Sequence, residues 1–175
     1  MAKEPLPLAQ YIRPVPDWPK KGILFRDITP LLADPKAFPA AVDALCAPFK
    51  KTGVQFVAGI EARGFIFGAA VAARLKAGFV PIRKKGKLPC ETERVTYALE
   101  YGTDCVEMHR DAIPRGAKVL LVDDLLATGG TMQAACELVQ KVGAEIVGIA
   151  VVIELADLQG RQRLAPHQVH ALITY

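Results

Sequence analysis

From about residue 34 onwards, the apolar positions of this chain switch between helical spacing and the continuous runs typical of buried strands. Asp34 followed by Pro35 predicts a helix start, and an apolar stripe continues from there until Thr52 and Gly53. Further apolar runs predict strands at 56–60, 79–83, 119–123 and 146–153, and helices at 64–75 and from residue 131. Because strands and helices alternate, the sequence predicts an α/β fold with a central, mostly parallel sheet flanked by helices.

A different period, the strict alternation of a half-buried strand, runs from residue 95 to residue 109 and is interrupted at Gly102. This pattern predicts an antiparallel hairpin, which follows the polar segment RKKGKLPCETER. Such a hairpin is either a mobile lid over the strand ends or a surface ribbon without function. The pattern alone leaves both open.

Composition limits the class of protein. With 175 residues, of which 51% are hydrophobic, we expect one domain with a substantial core. The net charge of +4 suits a small polyanionic ligand, but the chain lacks the basic stripe of a nucleic-acid reader. Four scattered cysteines favour a reducing cytoplasm over a disulfide framework. The longest uncharged apolar stretch, 64–73, is too short to span a bilayer, so we expect no membrane association.

The segment KVLLVDDLLATGGT, residues 118–131, carries the clearest chemistry. Asp123 and Asp124 follow an apolar run, where we expect the strand to emerge from the sheet. Carboxylates only accept hydrogen bonds, and a ribose diol offers two neighbouring donors, so a sugar or a metal explains two adjacent acids. An ordinary strand-turn-helix connection is the alternative, although helix capping needs only one such residue.

The second half of this segment, residues 127–131, predicts a phosphate site. Its glycines allow a positive φ, and its backbone N–H groups can converge on an anion. Helical spacing resumes at Thr131, so the turn lies at a helix N-terminus, where free amides and the helix dipole favour phosphate.

Basic residues follow two other predicted strands. Arg63, in GIEARGF, comes directly after the strand at 56–60, where its guanidinium can bind pyrophosphate or pair with Glu61. The run from Arg83 to Lys87 is either a solvated face or a partner for a polyanionic leaving group. Physical reasoning does not select one lysine of this run.

Five segments in a fixed order resemble the adenine phosphoribosyltransferase family of the type I phosphoribosyltransferases. They are PDWPKKGILFRDITPLLADP, GIEARGF, IRKKGKLP, YALEYG and VDDLLATGGTM. The resemblance covers essentially the whole chain. It implies the type I phosphoribosyltransferase fold in a single domain over 1–175, with an N-terminal hood at 1–33 and a flexible hairpin lid at 84–109.

For function, the resemblance implies a cytoplasmic, homodimeric purine-salvage enzyme that forms AMP and pyrophosphate from adenine and phosphoribosyl pyrophosphate. Mg²⁺ would be held mainly through substrate and water, with no direct protein ligand. Adenine would lie between Phe25 and Leu125, Asp123 and Asp124 would hold the ribose hydroxyls, and Glu100 would handle the proton of the base. The other implied contacts are Leu24 and Arg26 at the base edge, Arg63, Lys84 and Lys87 at pyrophosphate, Ala127, Thr128, Gly129, Gly130 and Thr131 at the 5′-phosphate, and Tyr101.

Two alternatives stay open beside this interpretation. One is a phosphoribosyltransferase for another base, such as xanthine, hypoxanthine or orotate. The other is a non-catalytic regulator that senses phosphoribosyl pyrophosphate and acts on DNA. We expect such a regulator to carry an added helical DNA-binding domain, and only about thirty residues precede the α/β core here.

Overall fold

The computed structural model describes residues 6–98 and 102–175. Seven strands form one sheet in the order β5-β6-β4-β3-β7-β8-β9, and β1 and β2 form a separate antiparallel pair. The strands are β1 (Arg13–Pro16), β2 (Leu24–Asp27), β3 (Phe56–Ile60), β4 (Gly78–Lys84), β5 (Thr92–Ala98), β6 (Thr103–His109), β7 (Lys118–Leu126), β8 (Glu145–Glu154) and β9 (Val169–Thr174). The helices are α1 (Thr29–Ala33), α2 (Ala37–Cys46), α3 (Gly64–Leu75) and α4 (Gly130–Lys141).

Helices cover both faces of the parallel part of the sheet, which confirms the predicted fold class. β7 has β3 and β8 as parallel neighbours, and its residues alternate between two hydrophobic clusters. Val119 and Leu121 pack on the side of α4, whereas Leu120 and Val122 pack on the side of α2 and α3. All four side chains are fully buried, as expected for a strand covered on both faces.

The predicted antiparallel hairpin is confirmed as β5 and β6, with Val95 opposite Val106. Its base belongs to the core, because Val95, Val106 and Met108 are buried in the cluster that includes α4. β6 also pairs with the end of β4, where Arg83 lies opposite Glu107. Hydrogen bonding to β4 and packing on α4 therefore hold the hairpin against the sheet.

The helix predicted to start at Asp34 and Pro35 begins two residues later, because α2 starts at Ala37. The carboxylate of Asp34 accepts hydrogen bonds from the backbone N–H groups of Lys36 and Ala37, both at 2.8 Å, so Asp34 supports the turn that leads into α2. That helix is shorter than predicted, because α2 ends at Cys46 and continues only as a 3-10 turn. Within residues 6–98 and 102–175, the structure contains no helix with the length and apolarity needed to cross a membrane.

The motif strand is longer than predicted. β7 continues to Leu126, which pairs with Glu154 of β8, so the expectation that the strand ends at residue 123 is wrong. The reason is that β8 is ten residues long and supplies hydrogen-bonding partners beyond Asp123. Asp123 and Asp124 therefore lie within the part of β7 that is paired with β8, on backbone that is fixed by the sheet.

Candidate phosphoribosyl site

A cavity of about 300 Å³ lies at the carboxyl edge of β3, β4 and β7. In the sheet, β3 lies between β4 and β7, so later strands are added on both of its sides. In parallel α/β sheets, ligand crevices form where the strand order reverses in this way. Many of the predicted site residues meet in this cavity. Its lining is Ile60, Glu61, Ala62, Arg63, Lys84, Asp123, Asp124, Leu125, Leu126, Ala127, Thr128, Gly129, Gly130, Thr131 and Met132.

The acidic pair is held by Arg63. Nε of Arg63 lies 2.8 Å from Oδ2 of Asp124, whose side chain is almost completely buried. The alternative pairing of Arg63 with Glu61 is not formed, because Glu61 accepts hydrogen bonds from Arg83 and from the backbone of Lys84. Arg63 thus compensates a buried carboxylate while its own side chain stays partly exposed in the cavity.

Burial raises the pKa of both acids. Burial raises the pKa of Asp123 well above its usual value, and the adjacent Asp124 carboxylate raises it further. Burial also raises the pKa of Asp124, although the positive charge of Arg63 acts in the opposite direction. Asp123 is packed so closely that a Cβ on Gly64 would lie 2.7 Å from its Oδ1 atom. The pair presents one partly buried and one buried carboxyl group, to which two neighbouring hydroxyl groups could donate.

The glycine-containing turn adopts the geometry that an anion site needs. Gly129 has a φ of +84° and immediately precedes α4, so the free amides at the start of a twelve-residue helix face the cavity. Sequence reasoning missed the residue that supports this turn. A Cβ on Gly160 would lie 2.1 Å from the carbonyl oxygen of Ala127, so two backbone segments are in direct contact there. No local pattern marks Gly160, because its partner lies in a distant segment.

The predicted pyrophosphate residues separate into two groups. Arg63 and Lys84 line the cavity, whereas Lys87 lies in an exposed turn, and its carbonyl oxygen accepts a hydrogen bond from Arg83. The ammonium group of Lys84 contacts the carboxylate of Asp104 and lies 3.1 Å from the hydroxyl of Tyr97. These hairpin partners of Lys84 were also missed, since they lie on strands whose pairing is not local.

The N-terminal hood approaches the cavity through Phe25. The guanidinium of Arg63 lies 5.3 Å from the centre of the Phe25 ring, and Trp18 packs edge-on against that ring at 4.4 Å. Leu24 is about half exposed, and neither it nor Arg26 belongs to the cavity lining. The guanidinium of Arg26 instead stacks on the ring of Tyr175 at 3.7 Å, a contact that the sequence does not indicate.

Two predicted residues, Glu100 and Tyr101, lie outside the described residues. Within 6–98 and 102–175, no group of three or more His, Cys, Asp and Glu side chains is arranged to hold a metal ion. The carboxylates in the cavity lining belong to Glu61, Asp123 and Asp124, and hard oxygens of this kind fit Mg²⁺, directly or through water.

The sequence and the fold are similar to those of known proteins. The family model described as "Phosphoribosyl transferase domain" matches residues 38–171. The chain is 57% identical over 170 residues to the adenine phosphoribosyltransferase of Rhizobium leguminosarum bv. trifolii, covering 96% of this chain and 94% of that protein. Among solved structures, adenine phosphoribosyltransferase from Rhodothermus marinus has a TM-score of 0.92 and 53% identity, over 96% of both chains. The Saccharomyces cerevisiae enzyme, complexed with an imino-altritol bisphosphate and adenine, has a TM-score of 0.90 and 40% identity, over 94% of this chain and 96% of that chain.

Proposed function

The chain belongs to the adenine phosphoribosyltransferase family, and from this premise we propose how its site performs the reaction of that family. The enzyme forms AMP and pyrophosphate from adenine and phosphoribosyl pyrophosphate, which is a purine-salvage reaction. We assign the site from one observation. Arg63, the Asp123 and Asp124 pair and the turn at 127–131 line the same cavity.

We assign the phosphorylated ribose to the motif strand and the turn that follows it. The 5′-phosphate lies against the amides and hydroxyls of residues 127–131, where free N–H groups and the dipole of α4 attract an anion. The ribose hydroxyls donate to Asp123 and Asp124, whose backbone is fixed by β8. These contacts orient the anomeric carbon relative to the leaving group.

Pyrophosphate leaves toward the basic side of the cavity. Arg63 and Lys84 are assigned to its oxygens, because both side chains are cationic and line the cavity. Lys87 joins them only if its exposed turn moves, so its role stays a prediction. Bound Mg²⁺, held mainly through substrate and water, would add positive charge that favours departure of pyrophosphate.

Adenine is placed between Phe25 and Leu125. Phe25 belongs to the hood and lies close to Arg63, and Leu125 lines the cavity, so a flat base between them would reach the anomeric carbon. Stacking alone would accept any purine, so selection of a 6-amino purine requires hydrogen bonds at that edge. The backbone of Leu24 and the side chain of Arg26 remain the predicted sources of those bonds.

Glu100 is proposed to accept the proton that leaves the base as N9 attacks. Such proton transfer typically contributes about 10²–10⁴-fold to the rate. Glu100→Gln should therefore lower kcat by a factor in this range and alter its pH dependence, measured as initial rates across pH. A variant with wild-type kcat and an unchanged pH profile would remove Glu100 from the chemistry.

We also propose a cytoplasmic homodimer in which residues 1–175 form a single domain. All four cysteines are free thiols, which suits a reducing compartment. Ile66 on α3 and Phe79 on β4 are large apolar side chains exposed on adjacent elements, as expected of a surface that a second copy covers. Ile66→Glu should shift the protein from dimer to monomer in sedimentation equilibrium, whereas Leu158→Glu, at another exposed apolar position, should not.

The direct test of the activity is pyrophosphate release from phosphoribosyl pyrophosphate with adenine, hypoxanthine or guanine, each with and without Mg²⁺. Rapid release only in the reaction that contains both adenine and Mg²⁺ supports the proposal. Preference for another base would indicate a different phosphoribosyltransferase. Tight binding of phosphoribosyl pyrophosphate without release would indicate the sensor.

A further inference from the structure

The hydroxyl of Tyr97 lies at the centre of a polar cluster that joins the hairpin to the cavity. It donates to Oδ2 of Asp104 at 3.0 Å and accepts from Nζ of Lys84 at 3.1 Å and from Oγ1 of Thr131 at 3.2 Å. A phenolic hydroxyl has one proton and two acceptor lone pairs, so these three bonds use its full capacity. The hydroxyl of Tyr97 is therefore fully hydrogen-bonded within this cluster.

Each member of this cluster comes from a different part of the fold. Tyr97 and Asp104 lie directly opposite each other on β5 and β6, Lys84 ends β4, and Thr131 lies in the first turn of α4. Partial burial tends to lower the pKa of Lys84, but its bonds with Asp104 and Tyr97 outweigh this effect and leave the pKa above its usual value. Lys84 is thus a fully charged group held by the hairpin.

Thr131 and Lys84 have a limited number of hydrogen-bond donors, so their contacts with the hairpin compete with contacts to phosphate. The hydroxyl of Thr131 has one proton, and while it donates to Tyr97 it cannot donate to a phosphate oxygen. Lys84 has three N–H donors, of which two point at the hairpin. The carboxylate of Asp104 also places a negative charge beside the lysine that is assigned to pyrophosphate.

We propose that Tyr97 and Asp104 are positioning residues that hold Thr131 and Lys84, and that a phosphoribosyl ligand exchanges these hairpin contacts for phosphate contacts. This inference rests on the proposed function of the same cavity. Tyr97 thereby weakens binding at the 5′-phosphate position, and Asp104 weakens binding of pyrophosphate. Both residues favour release of product from a site that is rich in cationic groups.

Two substitutions that remove the same hydrogen bond should have opposite effects on AMP binding, and this difference tests the role of Tyr97. Tyr97→Phe keeps the ring and removes the bond to Thr131, so AMP should bind about two- to tenfold more tightly, the worth of one hydrogen bond. Thr131→Val removes the same bond but also the phosphate donor, so AMP should bind more weakly. The double variant should match Thr131→Val, because the effect of Tyr97 acts through Thr131.

Isothermal titration with AMP gives these dissociation constants without any need for turnover. Weaker or unchanged AMP binding by Tyr97→Phe would overturn the role of Tyr97, because it would show that the contact supports phosphate binding or has no bearing on it. Activity of the wild-type protein is measured separately. Failure of pyrophosphate release by the wild type therefore refutes the proposed function, whereas the sign of the Tyr97→Phe effect decides this inference.

Asp104 is tested with pyrophosphate and Mg²⁺ as the probe. Asp104→Asn should bind pyrophosphate roughly two- to fivefold more tightly, as expected when the competing partner of a partly exposed ion pair is removed. Asp111→Asn, in the exposed turn after β6, makes the same change in net charge and should leave pyrophosphate binding unchanged. Equal tightening in both variants would reduce the effect to net charge and overturn the role of Asp104.

Discussion

Gly160 contacts the turn at residues 127–131, which we assign to the 5′-phosphate and call the phosphate turn. This contact makes Gly160→Ala an informative substitution outside the cavity lining. Gly160 is buried, and both atoms nearest to an added Cβ belong to the backbone: the carbonyl oxygen of Ala127 at 2.1 Å and the N atom of Gly129 at 2.9 Å. Backbone atoms cannot rotate away as a side chain can. Either the turn that is assigned to the 5′-phosphate or the backbone around Gly160 must therefore move, and we expect the turn to be displaced.

The size of that movement follows from the distances. Real Cβ atoms essentially never approach another heavy atom closer than 3.0 Å, so the oxygen of Ala127 and the new Cβ must separate by at least 0.9 Å. Misplacement of a binding group by about 1 Å can cost about 10²-fold in rate. Overpacking of this kind also costs about 1–3 kcal/mol of stability. We therefore expect a folded protein with a large loss in binding of phosphorylated ligands.

Gly148→Ala is the matched control, because it overpacks the core without touching the turn. An added Cβ at Gly148 would lie 2.4 Å from Cε1 of Phe49, which is the far end of a side chain on the α2 side of the sheet. Each kcal/mol lost should lower Tm by about 2–4 °C in a protein of this size. Both variants should thus melt at lower temperature, but only Gly160→Ala should change the KM for phosphoribosyl pyrophosphate and the Kd for AMP.

The assay is pyrophosphate release at several substrate concentrations, together with titration of AMP. Wild-type KM and Kd in Gly160→Ala would contradict this expectation, because they would show that the clash is relieved without loss of the phosphate contacts. An equal loss in Gly148→Ala would also refute it, since the effect would then follow from stability alone.

Three further predictions concern protonation and charge. Asp124→Asn should impair the use of phosphoribosyl pyrophosphate by about tenfold or more, since a hydrogen bond to a charged group is lost; unchanged KM and kcat would remove the ribose contact. Backbone N–H groups, foremost that of Ala37, lower the pKa of Asp34 from its usual 3.8, so its stabilisation is present above pH 3.8 and lost as pH falls through the lower folded-state pKa. The Tm difference between wild type and Asp34→Ala should therefore vanish in acid, and a difference that persists there would contradict this. Burial raises the pKa of the Cys136 thiol to about 12, so a thiol reagent at pH 8 should modify the exposed Cys90 first, and equal rates at both cysteines would contradict it.

Elements whose boundaries depend on local chemistry could be predicted from the sequence. β3 and α3 begin and end at the predicted residues, because a buried run, a charged turn and a glycine follow one another within a short segment. The hairpin was predicted for the same reason, since Gly102 separates two alternating arms. The phosphate turn also lies where its glycines and the helical spacing place it.

Features that depend on distant partners could not be predicted. β7 extends to Leu126 only because β8 offers pairing partners there. The short helix α1 and the last strand, β9, carry no pattern that separates them from loops. Gly160, Tyr97 and Tyr175 are missed for one reason, which is that each acts on a site residue far away in sequence through a contact that only the fold creates.

We propose that the start of α4 and the two acids of β7 together hold a phosphorylated ribose. A crystal structure with AMP bound is the decisive measurement. We expect the 5′-phosphate within hydrogen-bonding distance of the amides of residues 127–131, and the ribose hydroxyls against Asp123 and Asp124. A nucleotide bound elsewhere, with this cavity still empty, would contradict it.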